Sequence, residues 1–168
     1  MTNKAVFLDR DGVINRERKD YVKNVNEFEI FDGVVEAITL LKKNNFLVII
    51  ITNQSAINRN LLSIAMLEEI HNYFKNYLKV NGTHIDGIYY CPHRPDEGCL
   101  CRKPKPGLLL KAAQDFDVDL KNSWMIGDCD KDVEAAKAAG CNWILISRDE
   151  KLPKVIEKLL KKYSKMDL

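Results

Sequence analysis

Long apolar runs are missing from this 168-residue chain. None approaches the roughly 20 consecutive residues that cross a bilayer as a helix. Met1-Thr2-Asn3-Lys4 leads straight into the first apolar stretch, without the hydrophobic core of a secretory leader. Both absences point to a cytoplasmic protein with no membrane partner. Excess charge is lacking too: the net charge is +2 and the pI about 8.2. Nucleic-acid binders usually combine a domain pI above about 9 with clustered basic residues, so nucleic acid is not an expected partner. Repeats, low-complexity segments and linkers are also absent. One domain spanning 1–168 is expected, large enough to bury a substantial core, and acting as a monomer.

What is present begins with Phe7-Leu8-Asp9-Arg10-Asp11-Gly12. Ala5 to Leu8 read as a buried strand. In an extended chain, side chains two apart point the same way. Asp9 and Asp11 therefore face one spot, Arg10 turns away, and Gly12 lets the backbone bend. A solvated turn is the plainer reading of an Asp-Gly stretch, and only the context of the remaining chain decides between them.

That context is an alternation. Phe46 to Ile51 is too short for a helix and rich in β-branched residues, so it reads as a buried strand ending at Thr52. Ile85 to Tyr90 read as a strand ending at Cys91, Trp124 to Ile126 as one ending at Gly127-Asp128, and Cys141 to Ile146 as the last. Helices are expected from Asp32 or Gly33 to Asn44, from Ser63 to Val80, from about Gly107 to Phe116, from Asp130 to Ala139 and from Pro153 to Tyr163. Val13 to Ile30 reads as a long ordered loop, a functional wall or lid beside the acidic pair, since loops of that length in compact domains are usually functional or disordered. The fold class is α/β: a mainly parallel, Rossmann-like sheet with helices on both faces. The final helix carries an apolar stripe flanked by six lysines and is expected to dock on the sheet rather than on a membrane.

Ligands of open α/β sheets sit beyond the carboxyl ends of the strands. Asp9, Thr52 and Asp128 all fall there, with Lys103 opening a helix nearby. Asp9 and Asp128 suit a hard cation such as magnesium, which takes carboxylates, water and substrate phosphate. A phosphate monoester would meet that metal, the Lys103 ammonium and the Thr52 hydroxyl. Asp9 is then the nucleophile and Asp11 the acid that protonates the departing oxygen. Asp132 reads equally as a helix-start carboxylate or as support for the metal site.

Three of the five cysteines crowd into eleven residues with a histidine: Cys91-Pro92-His93 and Cys99-Leu100-Cys101. Three thiolates and an imidazole make a closed tetrahedral zinc site, structural rather than catalytic. Cys141 reads as a core residue, Cys129 as a neighbour of the active site without assigned chemistry, and His71 and His84 as helix-surface and loop residues.

Together, Asp9-Arg10-Asp11-Gly12, Thr52-Asn53-Gln54-Ser55, Arg102-Lys103-Pro104-Lys105-Pro106-Gly107 and Gly127-Asp128 resemble the four ordered motifs of the haloacid dehalogenase superfamily of phosphatases. The cysteine–histidine loop is similar to that of its heptose bisphosphate and histidinol-phosphate phosphatases. The resemblance implies magnesium held by Asp9, the Asp11 backbone carbonyl and Asp128, with Thr52 and Lys103 holding the phosphoryl group. It implies a small sugar-phosphate substrate contacted by Asn53, Gln54 and Ser55, by Arg102 and Lys103, and by Arg18, Lys19, Asp20 and Tyr21. It also implies a chain without a cap domain, walled by the 16–21 loop and the zinc loop. Ala56, Lys19 and Asn60 replace glycines common in that family, and Cys129 replaces a frequent lysine. These touch the substrate rim rather than the reaction. The implied reaction removes the 7-phosphate of a heptose 1,7-bisphosphate. Histidinol phosphate is the alternative substrate, and a zinc-organised nucleic-acid binder the alternative outside enzymes.

Overall fold

Five parallel strands in the order β3-β2-β1-β4-β5 form the sheet in the computed structural model, which describes residues 2–164. They are β1 (Ala5–Leu8), β2 (Leu47–Asn53), β3 (Gly87–Cys91), β4 (Trp124–Gly127) and β5 (Asn142–Leu145). Lys165, the last of the six lysines, lies outside the described residues.

Parallel strands need long crossovers, and helices supply them: α1 (Val34–Lys43), α2 (Ile64–Val80), α3 (Gly107–Asp115), α4 (Asp130–Ala139) and α5 (Leu152–Ser164). Alternation along β1 and β2 sends Val6, Leu8, Val48 and Ile50 to one face, where α1, α2 and α5 cover them. Ala5, Phe7, Ile49 and Ile51 go to the other face, under Leu108, Leu109 and Ala112 of α3 and Ala135 and Ala136 of α4. With both faces buried, β1 is apolar throughout and β2 is apolar up to Ile51, as a doubly covered parallel sheet requires. The α5 stripe docks inward as expected: Leu152, Val155, Ile156 and Leu159 are buried, and Tyr163 meets Phe46 edge to face at 5.4 Å.

Some boundaries differ from the expected ones. Strand β3 starts at Gly87 rather than Ile85; just before it, the Asp86 amide donates to the Val48 carbonyl at 2.8 Å, but the Asp86 carboxylate rather than a backbone carbonyl accepts from the Val48 amide, at 2.7 Å, and also pairs with Lys42. The 13–30 stretch is an ordered loop, as expected. Val13, Ile14, Val22 and Phe28 are buried in the core, and a short 3-10 turn spans Val25–Glu27. His71 is not a helix-surface residue but a buried one, facing the sheet from α2. Cys141 is buried as expected, just before β5.

Candidate active site

Three neighbouring strands, β2, β1 and β4, end side by side, so Thr52, Asp9 and Asp128 converge although far apart in sequence. They line one cavity of about 410 Å³ beyond the strand tips. Lys103 reaches it from the loop before α3, with only 3% of its surface exposed. Its Nζ donates to Asp9 Oδ1 at 2.8 Å and to the Ile51 carbonyl at 2.9 Å, and it lies 2.7 Å from Asp132 Oδ1. Burial opposes the lysine's charge, but the Asp9 and Asp132 carboxylates outweigh it and push its pKa above the ordinary value.

Asp9 is pushed up to about 8. Burial raises it, Lys103 opposes, and the neighbouring charges of Asp132 and Asp11 add to the rise. Asp128, partly exposed, is also raised, by burial and by Asp132, and shares a hydrogen bond with Asp9. Two carboxyls close enough to share a proton, both reluctant to ionise, lack positive charge between them. This donor set, two carboxylates opening on a polar cavity, fits magnesium. The backbone makes room for it: Gly12 has φ +92, and a Cβ there would sit 2.0 Å from Asp128 Oδ2. Gly127 likewise lets Asp132 come in, since a Cβ there would lie 2.2 Å from its carboxylate.

Asp132 is a helix-start carboxylate. Oδ2 accepts from the Cys129 amide at 3.3 Å at the start of α4, while Oδ1 faces Lys103.

Asp11 lines the same cavity, gripped by four donors. Arg10 donates from Nε and Nη2, Asn15 Nδ2 donates at 2.9 Å, and Gln54 Nε2 at 2.9 Å. Burial would raise its carboxyl, but the Arg10 charge and these hydrogen bonds hold it below the usual range. Arg10 therefore does not turn away from the acids as strand alternation suggested. Its long side chain folds back, buried, onto Asp11. Gln54 Nε2 also donates to Thr52 Oγ1 at 2.9 Å, orienting that hydroxyl.

Of the expected substrate contacts, Asn53, Gln54, Ser55, Arg102, Arg18, Lys19 and Tyr21 line the cavity. Asp20 does not. Its exposed carboxylate is taken by Arg18 at 3.1 Å and Lys23 at 3.0 Å, so it braces the wall from outside. Glu17 lines the cavity from the 16–21 loop expected as its wall, and Arg59 and Lys131 line it without any sequence signal that marked them. Cys129 lines it as expected.

At the outer wall, Cys91, His93, Cys99 and Cys101 bring their donor atoms within 4.8 Å of one another. Neighbouring donors are 3.2 to 3.6 Å apart. A tetrahedron with Zn–S of about 2.3 Å has edges of about 3.8 Å, slightly shorter towards nitrogen, so the cluster fits zinc. Burial, then a hydrogen bond that the Cys91 thiol gives to Cys101, pushes the Cys91 thiol up; Cys99 comes down to about 7, since amide and thiol donors around it outweigh its burial. Arg102 ties the cluster to the cavity, its Nη1 donating to the His93 carbonyl at 3.2 Å. Asn53 then fixes the next residue: its side chain accepts from the Lys103 amide and donates to the Lys103 carbonyl, both at 3.1 Å.

Residues 3–140 match the family described as haloacid dehalogenase-like hydrolase. The chain belongs to the haloacid dehalogenase-like hydrolases. It is 40% identical over 146 residues to the D-glycero-beta-D-manno-heptose-1,7-bisphosphate 7-phosphatase of Pseudomonas aeruginosa, covering 87% of this chain and 82% of that one. It is 42% identical over 151 residues to the D-glycero-alpha-D-manno-heptose-1,7-bisphosphate 7-phosphatase of Campylobacter jejuni, covering 90% and 86%. The fold is similar to that of the D,D-heptose 1,7-bisphosphate phosphatase of B. bronchiseptica, solved with magnesium and phosphate. The TM-score is 0.89 at 36% identity, over 95% of this chain and 99% of that one. Within this hydrolase family, the fold class read from the sequence is the one observed.

Proposed function

We propose that this hydrolase is a magnesium-dependent phosphatase that removes the 7-phosphate of a heptose 1,7-bisphosphate. The observation that carries the reading is the buried chain Asp9–Lys103–Asp132 at the strand tips, with Asp128 beside Asp9. Burying a lysine between two carboxylates is costly for a fold that gains nothing from it; next to a phosphate it is the charge the reaction needs. The relatives extend the reading to the substrate, and both anomers occur among them at similar identity, so the proposal is the heptose bisphosphate rather than one anomer.

Asp9, the Asp11 backbone carbonyl and Asp128 would hold magnesium, which supplies charge neutralisation at the phosphoryl oxygens. The protein's own groups do the rest. Lys103 Nζ and Thr52 Oγ1 orient the phosphoryl group against Asp9. An Asp9 carboxylate oxygen forms a bond to phosphorus as the bond to the sugar oxygen breaks, and Asp11 delivers a proton to that oxygen. The phosphate's charge, arriving beside Asp11, favours the protonated form that this transfer needs. Water then attacks phosphorus, Asp11 takes its proton, and the bond to Asp9 breaks, releasing phosphate, restoring the Asp9 carboxylate and returning Asp11 to its protonated form.

The same reading has Arg18, Lys19, Tyr21, Asn53, Gln54, Ser55 and Arg102 contacting the sugar phosphate. Zinc bound by Cys91, His93, Cys99 and Cys101 stiffens the wall that presents Arg102 and Lys103. It treats 1–168 as one cytoplasmic, monomeric phosphatase domain. The test is a panel of phosphate esters assayed with magnesium. Heptose 1,7-bisphosphate should show a higher kcat/KM than histidinol phosphate, and Asp9→Asn should abolish turnover with the melting curve intact. Full activity in that variant would end the mechanism; preference for histidinol phosphate would end the substrate assignment.

A further inference from the structure

Arg10 stands between the two acids of the first motif with 2% of its surface exposed, and each edge of its guanidinium is engaged. Nε and Nη2 fork onto the two Asp11 oxygens at 3.2 and 3.0 Å. Nη1 lies 3.2 Å from His71 Nε2, and the Phe28 ring sits 5.6 Å from Cζ. His71 comes from α2, sixty-one residues away in sequence, and does not line the cavity. Burial first, then the Arg10 and Lys75 charges, push its ring down to about 3. It is therefore neutral, and its Nε2 lone pair accepts from Arg10.

The consequence falls on Asp11. Each of its oxygens takes one donor from Arg10 and a second from Asn15 or Gln54. Four donors fix the plane of the carboxylate, and a bidentate guanidinium is the most directional of them. That fork is only as well aimed as the guanidinium is held. Without His71, Nη1 would be left buried and unpartnered, and Arg10 would turn to satisfy it.

We propose that His71 is a positioning residue of the reaction: acting through Arg10, it holds the Asp11 carboxylate at the angle from which that group serves the leaving oxygen. This rests on the acid/base assignment of Asp11 above. It goes beyond that assignment in placing a determinant of the acid's aim in the core behind it.

A purely structural role predicts the same loss on every substrate. A positioning role predicts a loss that depends on the leaving group, because an alkyl oxygen needs a proton on departure and a nitrophenolate does not. The readout is the first-turnover release of alcohol by rapid quench, which isolates the step before hydrolysis of the intermediate. In His71→Phe the sugar phosphate should slow by about 10-fold or more, given that small misplacements of a catalytic group cost up to about 100-fold. p-Nitrophenyl phosphate should slow by less than about 3-fold, since general acid catalysis contributes little there. His71→Gln, whose Oε1 can accept from Nη1, should recover most of the sugar-phosphate rate. If His71→Phe does not fold, His71→Asn, too short to reach Nη1, takes its place. Equal slowing of both esters, or none, overturns the inference. Asp11→Asn is the reference: if it fails to discriminate between the esters, the acid assignment itself falls. If it discriminates and His71→Phe does not, only the inference about His71 falls.

Discussion

Replacing Lys103 with methionine would keep the side chain's length and remove its charge. The Lys103 ammonium sits between the Asp9 and Asp132 carboxyls, with separations of 2.8 and 2.7 Å, and all three residues are buried. Removing the central cation leaves two uncompensated carboxylates, and breaking a buried pair in this way costs about 3–5 kcal/mol. For a chain of this length each kcal/mol moves the melting temperature by about 2–4 °C, so a drop of roughly 6–20 °C is expected. The carboxylates can escape by taking up protons, which fixes the pH dependence. Lys103 is what opposes the rise of the Asp9 carboxyl, so without it that group's folded pKa climbs further above the unfolded value near 4, and the deficit is smallest near pH 4 and grows as pH increases. Magnesium should raise the melting temperature of Lys103→Met more than that of the wild type, because the ammonium no longer repels it beside Asp9; saturating a site a hundredfold adds about 2.7 kcal/mol. Differential scanning calorimetry at pH 4.5 and 7.5, with and without magnesium, reads all of this. A variant that melts with the wild type at pH 7.5 would refute the electrostatic account of the triad.

Gly12→Ala places a side chain at φ +92 and against Asp128; it should lose about 1–2 kcal/mol of stability and weaken magnesium binding about 10-fold or more by calorimetric titration. Protein purified without added metal should hold about one zinc per chain; absence of zinc together with free alkylation of Cys91 and Cys99 would reject the closed site. His71 titrates at about 3 when folded and near 6.5 when unfolded, so below 6.5 the unfolded chain takes a proton that the folded one refuses. Stability is lost as pH falls from 6.5 towards 3, and the wild type's loss between pH 6 and pH 4, from urea midpoints, should exceed that of His71→Phe by about 2–3 kcal/mol.

The parts of this molecule that were legible from the chain are those where local spacing carries the chemistry. Asp9, Thr52 and Asp128 each close an apolar run, and a parallel sheet leaves such residues nowhere to go but one rim. The Cys91–Cys101 cluster is likewise local. Arg10 shows where this fails: alternation fixes where a Cα–Cβ bond starts, not where a long side chain ends, and the guanidinium's partner His71 lies in another element. Asp20 was drawn into the site by proximity in sequence, whereas Arg18 and Lys23, two and three residues away, satisfy it outside. Arg59 and Lys131 reach the cavity from loop and helix-start positions whose direction only the packed fold determines.

The pair of hydrogen bonds between the Asn53 side chain and the main chain at position 103 has one more outcome. It works like a rung borrowed from a ladder, seating the lysine's peptide on the tip of β2 whatever path the chain takes to get there. Surface segments accept insertions and deletions where their ends stay put. The ammonium's place is thus set by a strand and one amide, which leaves the stretch from 94 to 98, between the two pairs of zinc donors, free to change in length without disturbing the chemistry at the floor of the cavity.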